Sequence, residues 1–238
     1  MKRIALVHAT ALAIEPVHQS FQTLWPEAVL QDVLDDGLTA ALEAAPATLA
    51  PRFEALARDA QRAGAGAVLF TCSAFGAAID AARRAVALPM LKPNEAMFDD
   101  ALDAGRRIAL VATFAPSLPS MAQEFSAACH AAGRQAELTT IHVPGAFEAL
   151  QAGQAQEHDH LIAQAIAELP HHDAVMLAQF SMARAAVTAA SCTSATVLTS
   201  PDSAVRRLRR MLGGFVPMCS RGPSTMITAS SAESRSRE

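Results

Sequence analysis

This 238-residue chain contains two copies of the same sequence pattern. The pentapeptide RIALV begins at Arg3 and again at Arg107, 104 residues later. Further along, AVLFTCSAFG aligns with AVMLAQFSMA at an offset of 107 residues, and LKPNEAM aligns with TSPDSAV at an offset of 108. Three matches in the same order and at nearly constant spacing predict that one structural unit occurs twice.

Each copy has the pattern of an α/β unit. Between short apolar runs lie longer stretches with helical periodicity, such as 51–64 and 116–133, each ending on a glycine. Strands that alternate with helices predict parallel sheets with right-handed crossovers. We therefore expect two similar domains, each a parallel sheet flanked by helices, related by a pseudo-two-fold axis with a cleft between them. The predicted strands are 4–7, 29–33, 68–70 and 88–91, then 108–111, 138–143, 175–177 and 196–198.

The repeat also predicts the domain boundaries. The first domain covers 1–98 and the second 99–202. A helix at about 203–221 would cross back and complete the first domain. Residues 222–238 are polar and aperiodic and are predicted to form a flexible tail.

Composition excludes several classes of function. A formal net charge of −4 offers no basic surface for nucleic acid, and no apolar stretch is long enough for a membrane span or a signal peptide. A cytoplasmic location is therefore expected. The four cysteines are scattered, which predicts free thiols and neither disulfides nor a metal site. An alanine-rich helical surface is compatible with a homodimer.

In parallel sheets, ligands bind where the strands end. Cys72 lies at such a point, where the dipole of the following helix and nearby hydroxyl donors would lower the pKa of its thiol. The alternative is that Cys72 is a small buried core residue. The predicted substrate-binding residues, which offer hydroxyl, amide or aromatic groups near the strand ends, are Thr10, Thr71, Ser73, Ala74, Asn94, Thr113, Ser117 and Phe180.

Histidines supply the other candidate acid–base group. His8 ends the first predicted strand, so it is either a proton donor in the cleft or a structural histidine bonded to neighbouring backbone. The pairs His158/His160 and His171/His172 lack the spacing of a metal motif and are predicted to be surface residues.

The motif TCSAFG, the segment RRIALVATFAPSLPSM and the turn LKPNEAM, within a duplicated chain, resemble the aspartate/glutamate racemase superfamily. That superfamily includes hydantoin racemases, arylmalonate decarboxylases and maleate isomerases. The resemblance implies chemistry without a cofactor on a small carboxylic acid or amino acid. Its racemases place a second cysteine at the matching point of the other half. Here that position is Gln179, with Ser181 two residues on, and neither titrates near neutral pH.

Three hypotheses follow. The first is a racemase or isomerase in which Cys72 is the base, the Ser73 and Ala74 amides bind a carboxylate and Gln179 orients the substrate. The catalytic set is then Cys72, His8, Gln179 and Ser181. The second is a decarboxylase or other lyase acting on a malonate-like acid, although the superfamily's decarboxylases carry their lone cysteine in the second half. The third is a small-acid binding protein that has lost catalysis.

Overall fold

The structure is a computed structural model, and it describes residues 2–213. Two four-stranded sheets run through it, with strand orders β2-β1-β3-β4 and β6-β5-β7-β8, and every strand pair is parallel. The predicted fold class, two similar α/β domains, is confirmed.

Both halves have the same succession of elements. The first comprises β1 (Arg3–His8), α1 (Ile14–Leu24), β2 (Val29–Leu34), α2 (Gly37–Ala44), α3 (Leu49–Arg62), β3 (Ala67–Phe70), α4 (Gly76–Ala85), β4 (Met90–Leu91) and α5 (Glu95–Ala104). The second comprises β5 (Arg107–Ala112), α6 (Leu118–Ala132), β6 (Glu137–His142), α7 (Ala146–Gln151), α8 (Ala155–Ala167), β7 (Ala174–Leu177), α9 (Ala186–Ser191), β8 (Thr196–Thr199) and α10 (Ser200–Gly213).

Strand register repeats as faithfully as strand order. His8 is opposite Leu34 across the β1–β2 pair, and Ala112 is opposite His142 across the β5–β6 pair. The equivalent positions are thus 104 residues apart in β1 and β5 and 108 residues apart in β2 and β6. The three sequence matches have offsets of 104, 107 and 108 residues, so the two strand offsets equal the smallest and the largest of them. A residue in one half can therefore be assigned its counterpart in the other.

The central strands are covered on both faces, which explains why they are apolar without alternation. All four residues of β3 and all four of β7 are buried. By contrast, the edge strand β6 exposes every position but two, and those two are only partly buried. The predicted strands are found, with one notable difference in length: β4 holds only Met90–Leu91, because the chain before Met90 turns rather than extends.

The last described helix packs on the first half, although it follows the second half in sequence. α10 contacts α1 and α5, and its Ala204, Val205 and Leu208 lie in the same apolar cluster as Leu6 and Leu69 of the first sheet. The helix spans Ser200–Gly213, so it begins before the predicted start at residue 203. The rest of the predicted helix, 214–221, and the predicted tail lie outside the described residues. The predicted domain boundaries remain a prediction.

No helix in the described part of the chain has the length and apolar character needed to cross a membrane.

Candidate active site

The strand order places the candidate site between the first and third strands of each half. From β1 the chain crosses to β2 on one side, whereas β3 pairs with β1 on the other side. Loops that leave β1 and β3 therefore diverge and leave a crevice at the carboxyl ends of these strands. His8 and Thr71–Ser73 lie at this point in the first half, and Thr113 and Gln179 lie at the equivalent point in the second.

Cys72 is half-buried, two residues past the end of the β3–β1 ladder, in extended conformation (φ −122°, ψ 126°). A single 3₁₀ turn, Ser73–Phe75, follows it, and α4 begins only at Gly76. Burial raises the pKa of the Cys72 thiol above its ordinary value, and a hydrogen bond from the Ala74 N–H offsets part of that rise. The predicted lowering of this pKa is wrong, because the effect of burial is larger than that of this hydrogen bond.

A polar network centred on His8 in the first half was not predicted. The ring of His8 has no solvent exposure, and it lies between Thr71, with Nδ1 3.0 Å from Oγ1, and Asp32, with Nε2 3.0 Å from Oδ1. His18 of α1 reaches the same carboxylate, its Nε2 lying 2.9 Å from Oδ1 and 3.0 Å from Oδ2. One sequence signal was available: Asp32 is a lone charge inside the predicted strand 29–33.

This geometry corrects the predicted role of His8. Both ring nitrogens already face protein atoms and the side chain is completely buried, so His8 does not contact a substrate in the cleft. Burial lowers the pKa of His8, although the hydrogen bond and charge of Asp32 act in the opposite direction. His8 is therefore a neutral group behind the cleft wall at neutral pH.

Gln179 occupies the position equivalent to Cys72, and its side-chain amide links Thr113 to Ser117 by hydrogen bonds. Its Oε1 accepts from the Thr113 backbone N–H at 3.0 Å and from the Thr113 hydroxyl at 3.4 Å. Its Nε2 donates to Ser117 Oγ at 2.9 Å, and Ser117 donates its own proton to the Phe114 carbonyl at 2.8 Å. The three predicted residues Gln179, Thr113 and Ser117 are thus brought together, but their hydrogen bonds join them mainly to one another.

The remaining predicted groups lie where the two halves meet. Thr10 is exposed, and its hydroxyl accepts from the Leu12 N–H at 3.4 Å. The turn Ala11–Ala13 lies against the turn Phe180–Ala185, which contains the half-buried Ser181. On the other side of the crevice, Ser73 is half-buried and Ala74 is exposed.

Two predicted substrate-binding residues are structural instead. Asn94 is 1% exposed, and its Oδ1 accepts from the Ser200 hydroxyl at 2.6 Å, which joins α5 to α10. Phe180 is 3% exposed and packs with Leu6 and Leu69 in the core of the first half. Neither side chain is exposed enough to contact a ligand, because both are buried in contacts between residues of the two halves.

The histidines of the second half are only partly where they were expected. His160 and His171 are exposed as predicted. His158 is completely buried with Nδ1 2.8 Å from Asp159, and His172 is buried between the Pro170 carbonyl and the Thr139 hydroxyl. Within residues 2–213, no group of three or more His, Cys, Asp or Glu side chains has the arrangement of a metal site.

The model of the Asp/Glu/hydantoin racemase family matches residues 9–208. The chain belongs to this family. No curated protein sequence matches the chain.

Several solved structures share the fold of this family member. A glutamate racemase from Bacillus anthracis is 12% identical, with a TM-score of 0.69 over 89% of this chain and 82% of that one. An allantoin racemase from Klebsiella pneumoniae is 16% identical, with a TM-score of 0.67 over 90% and 88%. A glycine-to-cysteine mutant of arylmalonate decarboxylase is 17% identical, with a TM-score of 0.61 over 90% and 94%. At these identities the likeness establishes the fold alone.

Proposed function

We propose that this family member is a cofactor-independent racemase- or isomerase-type enzyme that acts next to the carboxylate of a small carboxylic or amino acid. The observation that supports the proposal most is the position of Cys72, a half-buried thiol at the β1–β3 crevice beside a Thr71–His8–Asp32 network. A cytoplasmic location and a homodimer belong to the same proposal.

The proposed reaction is a proton transfer at carbon. The Cys72 thiolate takes the proton from Cα, which gives a Cys72 thiol and a carbanion stabilised as the enediolate of the substrate carboxylate. Return of a proton to Cα completes the cycle. Neutral donors around the crevice, the Ser73 amide and the hydroxyls of Thr10 and Ser181, would hold the carboxylate.

Acid–base groups are concentrated on one side of the cleft. Cys72, His8 and Asp32 all belong to the first half, whereas Gln179 fills the thiol position of the second half and does not titrate. A single thiol exchanges the Cα proton from one face of the substrate. Inversion then requires water to deliver a proton to the opposite face, so exchange with solvent should outpace inversion.

One observation also favours a second candidate function. A decarboxylase needs a single proton donor, and the part of the cleft formed by residues 2–213 has one titratable thiol. Loss of carbon dioxide from a malonate-like acid would leave an electron pair on Cα, the Cys72 thiol would protonate it, and the thiolate would regain a proton from water. The test of the proposed function therefore includes malonates.

The test is proton NMR in deuterium oxide with a panel of α-chiral carboxylates, amino acids, hydantoins and malonates. Three proteins are compared: the wild type, Cys72→Ala and Cys192→Ala, since Cys192 is an exposed cysteine in the second half. Deuterium at Cα, or carbon dioxide from a malonate, with wild type and Cys192→Ala but not with Cys72→Ala supports the proposal. Full activity of Cys72→Ala rejects it. Ligand-induced thermal stabilisation without any turnover would indicate a binding protein.

A further inference from the structure

The network behind Cys72 occurs in one half of the duplicated fold only. Its members His8, Asp32, His18 and Thr71 come from β1, β2, α1 and the residue after β3. In the second half the four equivalent positions hold Ala112, Thr140, Ala122 and Ala178. The second half builds the same sheet, in the same order and register, without any of these polar contacts. The fold therefore does not need the network, and its presence beside the thiol points to a role in the site.

The hydrogen bonds define which ring nitrogen of His8 carries the proton. Asp32 accepts from His8 and from His18. Burial acts to raise the pKa of Asp32, but these hydrogen bonds and the charge interactions with the two histidines together hold it below its ordinary value. An ionised carboxylate only accepts hydrogen bonds, so Nε2 of His8 must be the protonated nitrogen. Nδ1 of the neutral ring then accepts from the Thr71 hydroxyl at 3.0 Å, a shorter distance than the 3.3 Å to the Val7 carbonyl, which is the other acceptor within reach of this hydroxyl.

Thr71 links the His8 ring to Cys72, the residue that carries the thiol. Its backbone N–H donates to the Val7 carbonyl at 3.0 Å, and its side chain is 6% exposed, so the residue is fixed on both sides. Cys72 is the next residue and has no strand partner of its own. The backbone at Cys72 is therefore held through Thr71 on one side, while its thiol packs against the core of the first half and accepts from the Ala74 N–H.

We propose that Asp32 is a positioning residue for Cys72: it holds His8 as the Nε2–H tautomer, and through the Thr71 hydroxyl it fixes the turn that carries the thiol. His18 donates to the second oxygen of Asp32 and keeps the carboxylate in place. The inference rests on the proposed function, because it assigns Asp32 to the site in which Cys72 would act.

The experiment uses the full chain labelled with ¹⁵N, in the wild type, Asp32→Asn and Asp35→Asn. Asp35 is a matched control, since it lies three residues on and pairs with Arg52 instead of His8. Long-range proton–nitrogen spectra report the tautomer of His8, assigned with His8→Gln. The alkylation rate of Cys72 by iodoacetamide, followed by mass spectrometry at constant pH, reports the orientation of the thiol. Circular dichroism confirms that each variant is folded.

Neither readout requires turnover, so the inference and the proposed function can fail separately. We expect the Nε2–H tautomer in the wild type and in Asp35→Asn, and its loss in Asp32→Asn. Alkylation of Cys72 in Asp32→Asn should be at least threefold faster as the turn loosens. Where a substrate has been found, its deuterium exchange should be slower by about 10-fold or more. A different tautomer in the wild type, or unchanged alkylation in Asp32→Asn, overturns the assignment whatever the activity.

Discussion

Cys72 and Gln179 occupy equivalent positions in the two halves of the molecule. Each follows the buried third strand of its half and immediately precedes a 3₁₀ turn, in an extended conformation (φ −122°, ψ 126° and φ −102°, ψ 148°). The thiol in one half is therefore replaced by an amide in the other at the same point of the fold. This asymmetry is the basis of the proposal that protons are exchanged from one face of the substrate.

Gln179→Cys restores a thiol at the second position and tests that asymmetry. With two facing thiols, one can remove the Cα proton while the other delivers a proton to the opposite face. We expect the ratio of inversion to deuterium exchange to rise by about 10-fold or more, even where total activity falls because Thr113 loses its hydrogen-bond acceptor. Gln179→Ser is the matched control, since it removes the same hydrogen bonds to Thr113 and Ser117 without adding a thiol. An equal ratio in both variants would contradict the prediction.

The pH dependence of Cys72 follows from its burial. Its pKa is raised, and only the thiolate is a base, so exchange should increase with pH and continue to rise above the ordinary pKa of a thiol. The same transition should appear in the rate of alkylation of Cys72, measured by mass spectrometry in the absence of substrate. A midpoint below the ordinary thiol value would show that the helix dipole and local donors dominate over burial after all.

Phe180 should be a major determinant of stability, even though it lies beside the candidate site. Truncation by Phe180→Ala removes a buried ring from the core that joins the two halves, which typically costs about 3–5 kcal/mol. Phe114 is the control, because it also follows a strand of the second sheet but is 46% exposed and lies beside the ring of Phe147. We expect Phe114→Ala to cost about 1 kcal/mol or less in urea unfolding. Equal losses in the two variants would contradict the assignment of Phe180 to the core.

Gly105 is required by close packing at the start of the second half. A Cβ atom at this position would lie 2.4 Å from Cβ of Asp173, whose carboxylate accepts from the backbone N–H groups of Arg106 and Arg107. Gly105→Ala should therefore lower the free energy of unfolding by about 1–3 kcal/mol.

A control position is available in the first half, at the residue that precedes β3. At Gly66 a new Cβ would meet its nearest neighbour at an ordinary contact distance of 3.6 Å, so Gly66→Ala should be nearly neutral. Urea unfolding of both variants measures the difference, and a neutral Gly105→Ala would show that Asp173 moves aside freely.

The duplicated α/β architecture could be predicted from sequence because it depends on local patterns. Apolar runs, glycine stops and the RIALV repeat are read without knowledge of distant contacts, and Cys72 was located because it follows such a run. The same local patterns wrongly predict the exposure of two histidines in the second half. His158 and His172 looked like surface residues, since the burial of a polar side chain depends on which helices cover it.

Contacts between distant residues account for what the sequence did not predict. Asp32 is 24 residues from His8, and only the β1–β2 pairing brings the two side chains together. Asn94 and Phe180 look like cleft residues because they follow strands, but α10 returns to the first half and buries both regions. The pKa of Cys72 was predicted in the wrong direction for a related reason: burial depends on packing, whereas a helix dipole can be anticipated from position alone.

In the proposed reaction one thiol, on one face of the substrate, performs the proton transfer. The most direct measurement starts from a single enantiomer of whichever α-chiral acid exchanges, in deuterium oxide, and follows deuterium content and configuration together by NMR and chiral chromatography. We expect deuterium to appear first in recovered starting material of unchanged configuration, and inversion to lag behind. Deuterium found only in the inverted enantiomer from the earliest time points would contradict it, because that result requires a second acid on the opposite face.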